Sequence, residues 1–326
     1  MAFKHGYKLT FKLLGFKSRF VVLHLLMIVL ATLGMAKGSV AQPTFTSGVD
    51  LVRLGVTVID RNDDFITDLT MDDFEVYEGG VFQEIRYFRS ANMPDSSQPP
   101  LHLGLLFDTS SSMEQDLRMS QSAAIKFLNT VTQAEDITLV DFDTEVRVGR
   151  YSQNDFPRLI ERIRLRKPKG WTALYDALGV YLDGASWQDG QKVLVLFSDG
   201  GDTRSAMSFS EINDLVKASD VTLYAIGFLK NRPGNASLMR QMRMFAEQTG
   251  GEVFLPLTAD PFDEIYARIV EELNSRYSFG YSSTNDQTDG GWREIEVRLN
   301  TSRSVLEGAK IRTRKGYYGP YLKKDF

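Results

Sequence analysis

Cysteine is absent from all 326 residues, which excludes disulfides, thiolate zinc sites and a cysteine nucleophile together. Histidine is nearly absent: the three are His5, His24 and His102, and the first two lie in a segment expected to be removed. A mature chain with one histidine cannot build a histidine-rich zinc site and is a poor Ser-His-Asp hydrolase. Basic charge is scarce beyond residue 41. Residues 1–41 hold six Lys and Arg and no Asp or Glu, which leaves 32 basic against 42 acidic side chains, a net of −10. That balance keeps a protein soluble and argues against nucleic acid as a partner. Hydrophobic residues at 43% and charged residues at 25% describe an ordinary globular chain, long enough for two domains.

What is present begins with an export signal. Lys4, Lys8, Lys12, Lys17 and Arg19 precede an apolar run over 20–35, and Ser39-Val40-Ala41 ends it before Gln42. Positive charge, apolar core and a small-x-small end, in that order, predict a secretory signal over 1–41, cleaved after Ala41. The protein is then periplasmic or secreted. If the segment stays uncleaved it is a membrane anchor, although the run falls short of the ~20 residues that span a bilayer comfortably.

The mature chain reads as β, then α/β, then β. In 42–90, alternation over 49–60 predicts a strand, and 74–78 and 81–88 flank Gly79-Gly80 as a hairpin. Residues 91–100 (ANMPDSSQPP) are Pro- and Ser-rich and aperiodic, a linker. From 101 to 275, short buried strands (101–107, 137–142, 193–197, 221–228, 252–255) alternate with helical stretches (112–131, 156–165, 172–185, 209–218, 236–248, 261–273), and 145–151 adds a strand joined by a tight turn. This predicts a doubly wound, mostly parallel α/β sheet covered on both faces. In 276–326 the β signal returns at 277–281, 293–299 and 309–313. Neither flank has enough strands to stand alone, so the two are expected to pack together as a β-sandwich-like module with the α/β domain inserted between them.

The chemistry gathers at strand ends. The strand over 101–107 runs into Asp108-Thr109-Ser110-Ser111-Ser112, and the strand over 193–197 into Ser198-Asp199-Gly200-Gly201. In open α/β sheets, ligands bind at the carboxyl ends of strands where the strand order reverses. If these strands are neighbours, Asp108 and Asp199 meet there, and the loop Lys169-Gly170-Trp171-Thr172 can bring a third hydroxyl. Oxygen ligands without nitrogen or sulfur select a hard cation, Mg²⁺ or else Mn²⁺ or Ca²⁺. Asp108, Ser110, Ser112, Thr172 and Asp199 are the expected metal site. Each piece alone could serve as a helix cap or a turn; three in this order point to a metal.

These residues resemble the von Willebrand factor type A (VWA) domains and their metal-ion-dependent adhesion site. Asp108, Ser110 and Ser112 match the Asp-x-Ser-x-Ser motif, Thr172 in GWTALYDAL the threonine loop, and Asp199 in LFSDGGD the third loop. The resemblance implies direct coordination by Ser110, Ser112 and Thr172, with Asp108 and Asp199 acting largely through waters. DLTMDDFEVYEGGVFQEIRYF and WREIEVRLN…IRTRKGYYG resemble the flanks of a bacterial group of exported proteins termed VWFA-related.

The expected function is a non-catalytic adhesion or assembly module that captures an Asp or Glu carboxylate of a partner protein through the metal. A metal-dependent hydrolase and an envelope scaffold with an idle metal are the alternatives. Trp171 departs from the family, which usually has a small residue there: it is either an exposed partner-binding anchor or a ring folded onto the domain. Asp116 is expected to be a solvated helix residue, Asp141 and Asp143 a solvated strand end, and His102 a packed residue.

Overall fold

A computed structural model describes residues 51–91, 99–228, 236–256, 258, 261–300 and 306–322. The expected signal and most of the expected linker lie outside these residues. Val49–Phe326 forms one compact unit. Its strands are β1 (Leu51–Ile59), β2 (Phe74–Glu78), β3 (Val81–Gln83), β4 (Ile85–Arg89), β5 (Leu101–Asp108), β6 (Ala134–Phe142), β7 (Val146–Ser152), β8 (Gln191–Ser198), β9 (Thr222–Gly227), β10 (Val253–Phe254), β11 (Tyr277–Ser282), β12 (Trp292–Leu299), β13 (Lys310–Arg312) and β14 (Gly316–Tyr318). The helices are α1 (Leu117–Thr130), α2 (Phe156–Leu165), α3 (Leu174–Ser186), α4 (Phe209–Ala218), α5 (Ala236–Thr249) and α6 (Phe262–Asn274).

The central sheet has the order β10-β9-β8-β5-β6-β7 and is parallel except for β7. The middles of β5 and β8 are apolar because both faces are covered there. Successive side chains point to opposite faces, so Leu105 and Phe107 enter one core with α1 and α6 while Leu106 enters the other with α3, α4 and α5. From β5 the chain moves outward to β6 and β7, then returns to lay β8 on the other side of β5. The reversal therefore falls between β5 and β8, and it puts the ends of those two strands side by side.

The flanks form two antiparallel sheets, β13-β1-β11-β4 and β14-β12-β2-β3. Each sheet mixes strands from before and after the α/β domain. Their shared core includes Val56, Val58, Phe74, Val76, Phe279 and Tyr281, and the Phe74 and Phe279 rings meet edge-on with centroids 4.7 Å apart. The turn at Gly79-Gly80 has φ of 55° and 81°, the left-handed pair that a two-residue hairpin needs. The stretch 81–88, expected as one strand, is two: β3 pairs with β2, the chain breaks at Glu84, and β4 pairs with β11 in the other sheet. A strand that changes sheets makes a corner of the sandwich, and alternation alone does not show it. β14 was not anticipated, since its three residues are too short to show a period.

The α/β domain and the sandwich are joined through Glu272, a fully buried residue in the last turn of α6. It accepts bonds from Thr57 Oγ1 of β1 at 3.1 Å and Arg312 Nη2 of β13 at 2.7 Å. Burial raises its pKa, and the Arg312 and Arg276 charges oppose that rise.

Phe279→Ala should remove about 3–5 kcal/mol of stability in urea denaturation, the usual cost of truncating a buried phenylalanine. Because Phe279 packs on Phe74 and Phe88, the variant should also open residues 74–89 to protease before the α/β domain.

Candidate metal centre

Asp108 ends β5 and is fully buried. Its Oδ1 accepts the Ser110 backbone N–H at 2.9 Å, and its Oδ2 accepts the Ser198 hydroxyl at 2.7 Å. Ser198 in turn accepts the Gly200 N–H at 3.0 Å, so the end of β8 holds the end of β5. Ser110 Oγ and Ser112 Oγ lie 2.9 Å apart, because the extended Ser110 leads into a 3-10 turn over Ser111–Met113. That turn also delays the helix: α1 starts at Leu117, not at 112. Asp199 follows β8, is buried, and accepts the Gly201 N–H at 3.3 Å. Thr172 lies two residues ahead of α3, not inside it.

Backbone bonds sew the three loops together. Ser111 N–H donates to the Gly170 carbonyl at 3.1 Å, and Lys169 N–H to the Thr109 carbonyl at 2.9 Å. The Thr172 carbonyl accepts both Thr203 N–H at 2.9 Å and Arg204 N–H at 3.0 Å, while Thr172 N–H donates to Thr203 Oγ1 at 3.0 Å. Segments far apart in the chain thus form one rigid surface at the carboxyl ends of β5 and β8.

Burial, with the Asp199 charge adding to it, pushes the Asp108 carboxyl up to about 7 against the lowering effect of the Ser110 and Ser198 bonds. Asp108's hydrogen bonds among the described residues come from hydroxyl and amide donors, not from a cation. A hard cation suits this set: oxygen donors, two of them carboxylates, with a penalty on the ionised form that a positive charge would relieve. Among the described residues no three His, Cys, Asp or Glu side chains cluster as ligands, so a cation held here would need hydroxyls in its shell.

Residues 102–268 match the sequence model of the von Willebrand factor type A domain family. The chain belongs to this family. Among solved structures it is similar to an aerotolerance-related membrane protein from Bacteroides fragilis, at 13% identity over 53% of this chain and 98% of that one, TM-score 0.45. It is also similar to a von Willebrand factor type A protein from Catenulispora acidiphila, at 11% identity over 86% and 76%, TM-score 0.47. A third is the vWF domain of the type V pili tip protein Mfa5 from Porphyromonas gingivalis, at 14% identity over 59% and 99%, TM-score 0.44. No curated protein matches the chain.

Within the VWA domain, Trp171 stands 64% exposed, so its ring is not folded onto the surface. The Trp171 backbone N–H donates to Thr144 Oγ1 at 2.9 Å. Gly170 before it has φ +70°, and a Cβ there would lie 2.4 Å from Thr144 Oγ1; the turn that lifts Trp171 requires glycine.

Two expectations need correction. Asp141 and Asp143 are not a solvated strand end but are buried. Arg147 Nε and Arg162 Nε each reach Asp141 at 2.7 Å, Arg166 Nε reaches it at 2.9 Å, and Arg147 Nη2 reaches Asp143 at 2.7 Å. Burial alone would raise the Asp143 pKa, but Arg147 and the Glu145 N–H hold it below the usual value. This cluster is tied to the threonine loop: Ala173 N–H donates to the Asp143 carbonyl at 2.9 Å, next to Thr172. The arginines come from β7, α2 and the loop beyond, so no local pattern announced them. Asp116 is buried rather than solvated, because the turn over Ser111–Met113 brings its N–H onto the Met113 carbonyl at 2.9 Å. His102 is packed as expected, between Asp136 Oδ2 at 3.0 Å and the Asp189 carbonyl at 2.8 Å, at the end of β5 opposite Asp108.

Asp141→Ala would leave three guanidiniums without their shared carboxylate. It should cost about 3–5 kcal/mol in chemical denaturation, as expected for breaking a buried ion pair from one side.

Proposed function

We propose that this protein is an exported, non-catalytic binding module whose VWA domain holds a divalent cation, Mg²⁺ with Mn²⁺ or Ca²⁺ as substitutes, on Asp108, Ser110, Ser112, Thr172 and Asp199. Its partner is a protein that offers an Asp or Glu carboxylate. The observation that carries this reading is the convergence at the β5–β8 switch point: Asp108 held by Ser110 and Ser198, with Ser112 beside Ser110. When bound, the cation supplies a Lewis-acidic position for an incoming carboxylate. The chain's own residues fix the geometry in advance. Ser198 and the Ser110 N–H orient the Asp108 carboxylate, and the stitched loops hold the hydroxyls still, which lowers the entropic cost of capture.

Non-catalytic use is supported by what surrounds the centre. Asp141 and Asp143 are engaged by arginines, and His102 is at the far end of its strand. Export rests on the charge-then-apolar pattern of residues 1–41. No helix among the described residues is long and apolar enough to cross a membrane. Trp171, exposed in the loop that carries Thr172, is the proposed aromatic anchor for the partner.

Isothermal titration with Mg²⁺ or Mn²⁺ tests the centre. Asp108→Ala should abolish binding and Thr172→Ala should weaken it; wild-type affinity in Asp108→Ala would overturn the assignment. Trp171→Ala should leave metal affinity and melting temperature unchanged, because an exposed indole neither coordinates nor packs. Against an EDTA-sensitive partner captured from the envelope fraction, it should cost about 2 kcal/mol or more.

A further inference from the structure

The opposite end of the VWA domain carries a second feature, independent of the metal centre. Where the amino-terminal ends of β8 and β9 approach the outer face of the sheet β13-β1-β11-β4, a cavity of about 460 Å³ opens. That size lies within the range of small-molecule sites. The face is hollowed by its sequence: Gly55 of β1 stands opposite Ser278 of β11, and Arg53 opposite Gly280.

Arg276, between α6 and β11, lies across the hollow and is only 6% exposed. A Cβ on Gly55 would come within 2.9 Å of Arg276 Cδ and 3.0 Å of its Nε, so the glycine leaves room for the guanidinium. Nη1 donates to Thr222 Oγ1, a neutral hydroxyl, at 2.7 Å. Nε is buried and has no hydrogen-bond partner among the described residues. Glu272, whose carboxylate feels this charge, is bonded to Arg312 and Thr57. Nε is thus left as an unpaired donor on a charged group, the kind of donor that makes a charge-assisted bond to an oxyanion.

The rest of the lining agrees. Arg53 adds a second positive charge from an exposed position on β1. Lys192 adds a third, matched by Asp220 at 2.8 Å. Asp189 is the other acidic lining residue, and its carbonyl is tied to His102. Tyr87 and Leu51 provide apolar wall. A buried guanidinium donor left without a hydrogen-bond partner is costly, and a wall of this kind accepts a flat apolar body.

We propose that this cleft binds a small organic oxyanion, a carboxylate or phosphate on a flat apolar body, with Arg276 as the principal contact and Arg53 at the rim. Isothermal titration of the full chain in EDTA, with benzoate and phenyl phosphate as probes, tests it; EDTA keeps the carboxylate from a metal at the top face. Saturable binding of at least one probe is expected, benzoate the tighter if the natural group is a carboxylate and phenyl phosphate if it is a phosphate. Arg276→Gln should weaken binding about tenfold or more, the scale of charge-assisted hydrogen bonds. Should Arg276→Gln fail to fold, Arg53→Glu carries the test, since an exposed charge reversal leaves the core intact and must weaken both probes. Asp108→Ala should bind both probes as wild type does. Failure of both probes to saturate, or affinity unchanged in Arg53→Glu and in folded Arg276→Gln, would overturn the proposal.

Discussion

Strand β1 is the member on which the architecture depends. Its hydrogen-bonding edges are satisfied by β11 along its first two-thirds and by β13 along its end, both supplied by the far end of the chain. Its Thr57 hydroxyl meets the buried Glu272 at the last turn of α6. The sandwich therefore requires residue 277 beside residue 56, although the whole VWA domain separates them in sequence. Conversely, the last turn of α6 is held by β1 and β13. Buried backbone donors and acceptors must be paired, and each flank alone has too few strands to pair its own.

The two ends of the central sheet have opposite electrostatic character. At the carboxyl end, Asp108 and Asp199 approach each other in a buried setting that raises the Asp108 pKa, a place suited to positive charge. At the amino end, Arg276 lies buried against Gly55 with Thr222 as its hydrogen-bond partner, a place suited to negative charge. Between them, residues 103–107 of β5 and 193–197 of β8 are apolar and buried on both faces, apart from Gly104. The carboxyl end draws its rigidity from paired charge: Arg147, Arg162 and Arg166 around Asp141 hold the strand β7 side of the loops. Such a cluster contributes geometry more than net stability, because desolvation offsets much of the Coulomb gain.

The amino-acid order alone was enough for features that rest on local rules. Two-residue alternation and helical spacing located the strands and helices of 101–275, because each period reflects the face its own segment must bury. Gly79-Gly80 named its hairpin because only glycine enters that turn without strain. Asp108, Ser110, Ser112, Thr172 and Asp199 could be named as candidates because each follows a recognisable strand or precedes a helix. Partnership across the chain was decided only in three dimensions. The change of sheet at Glu84, the arginines that bury Asp141, the exposure of Trp171 and the placement of Arg276 over Gly55 all depend on which surfaces meet after distant segments pack. A residue's own neighbours in sequence carry no record of those contacts, and burial of charge is a property of the assembled surface rather than of the strand that bears it.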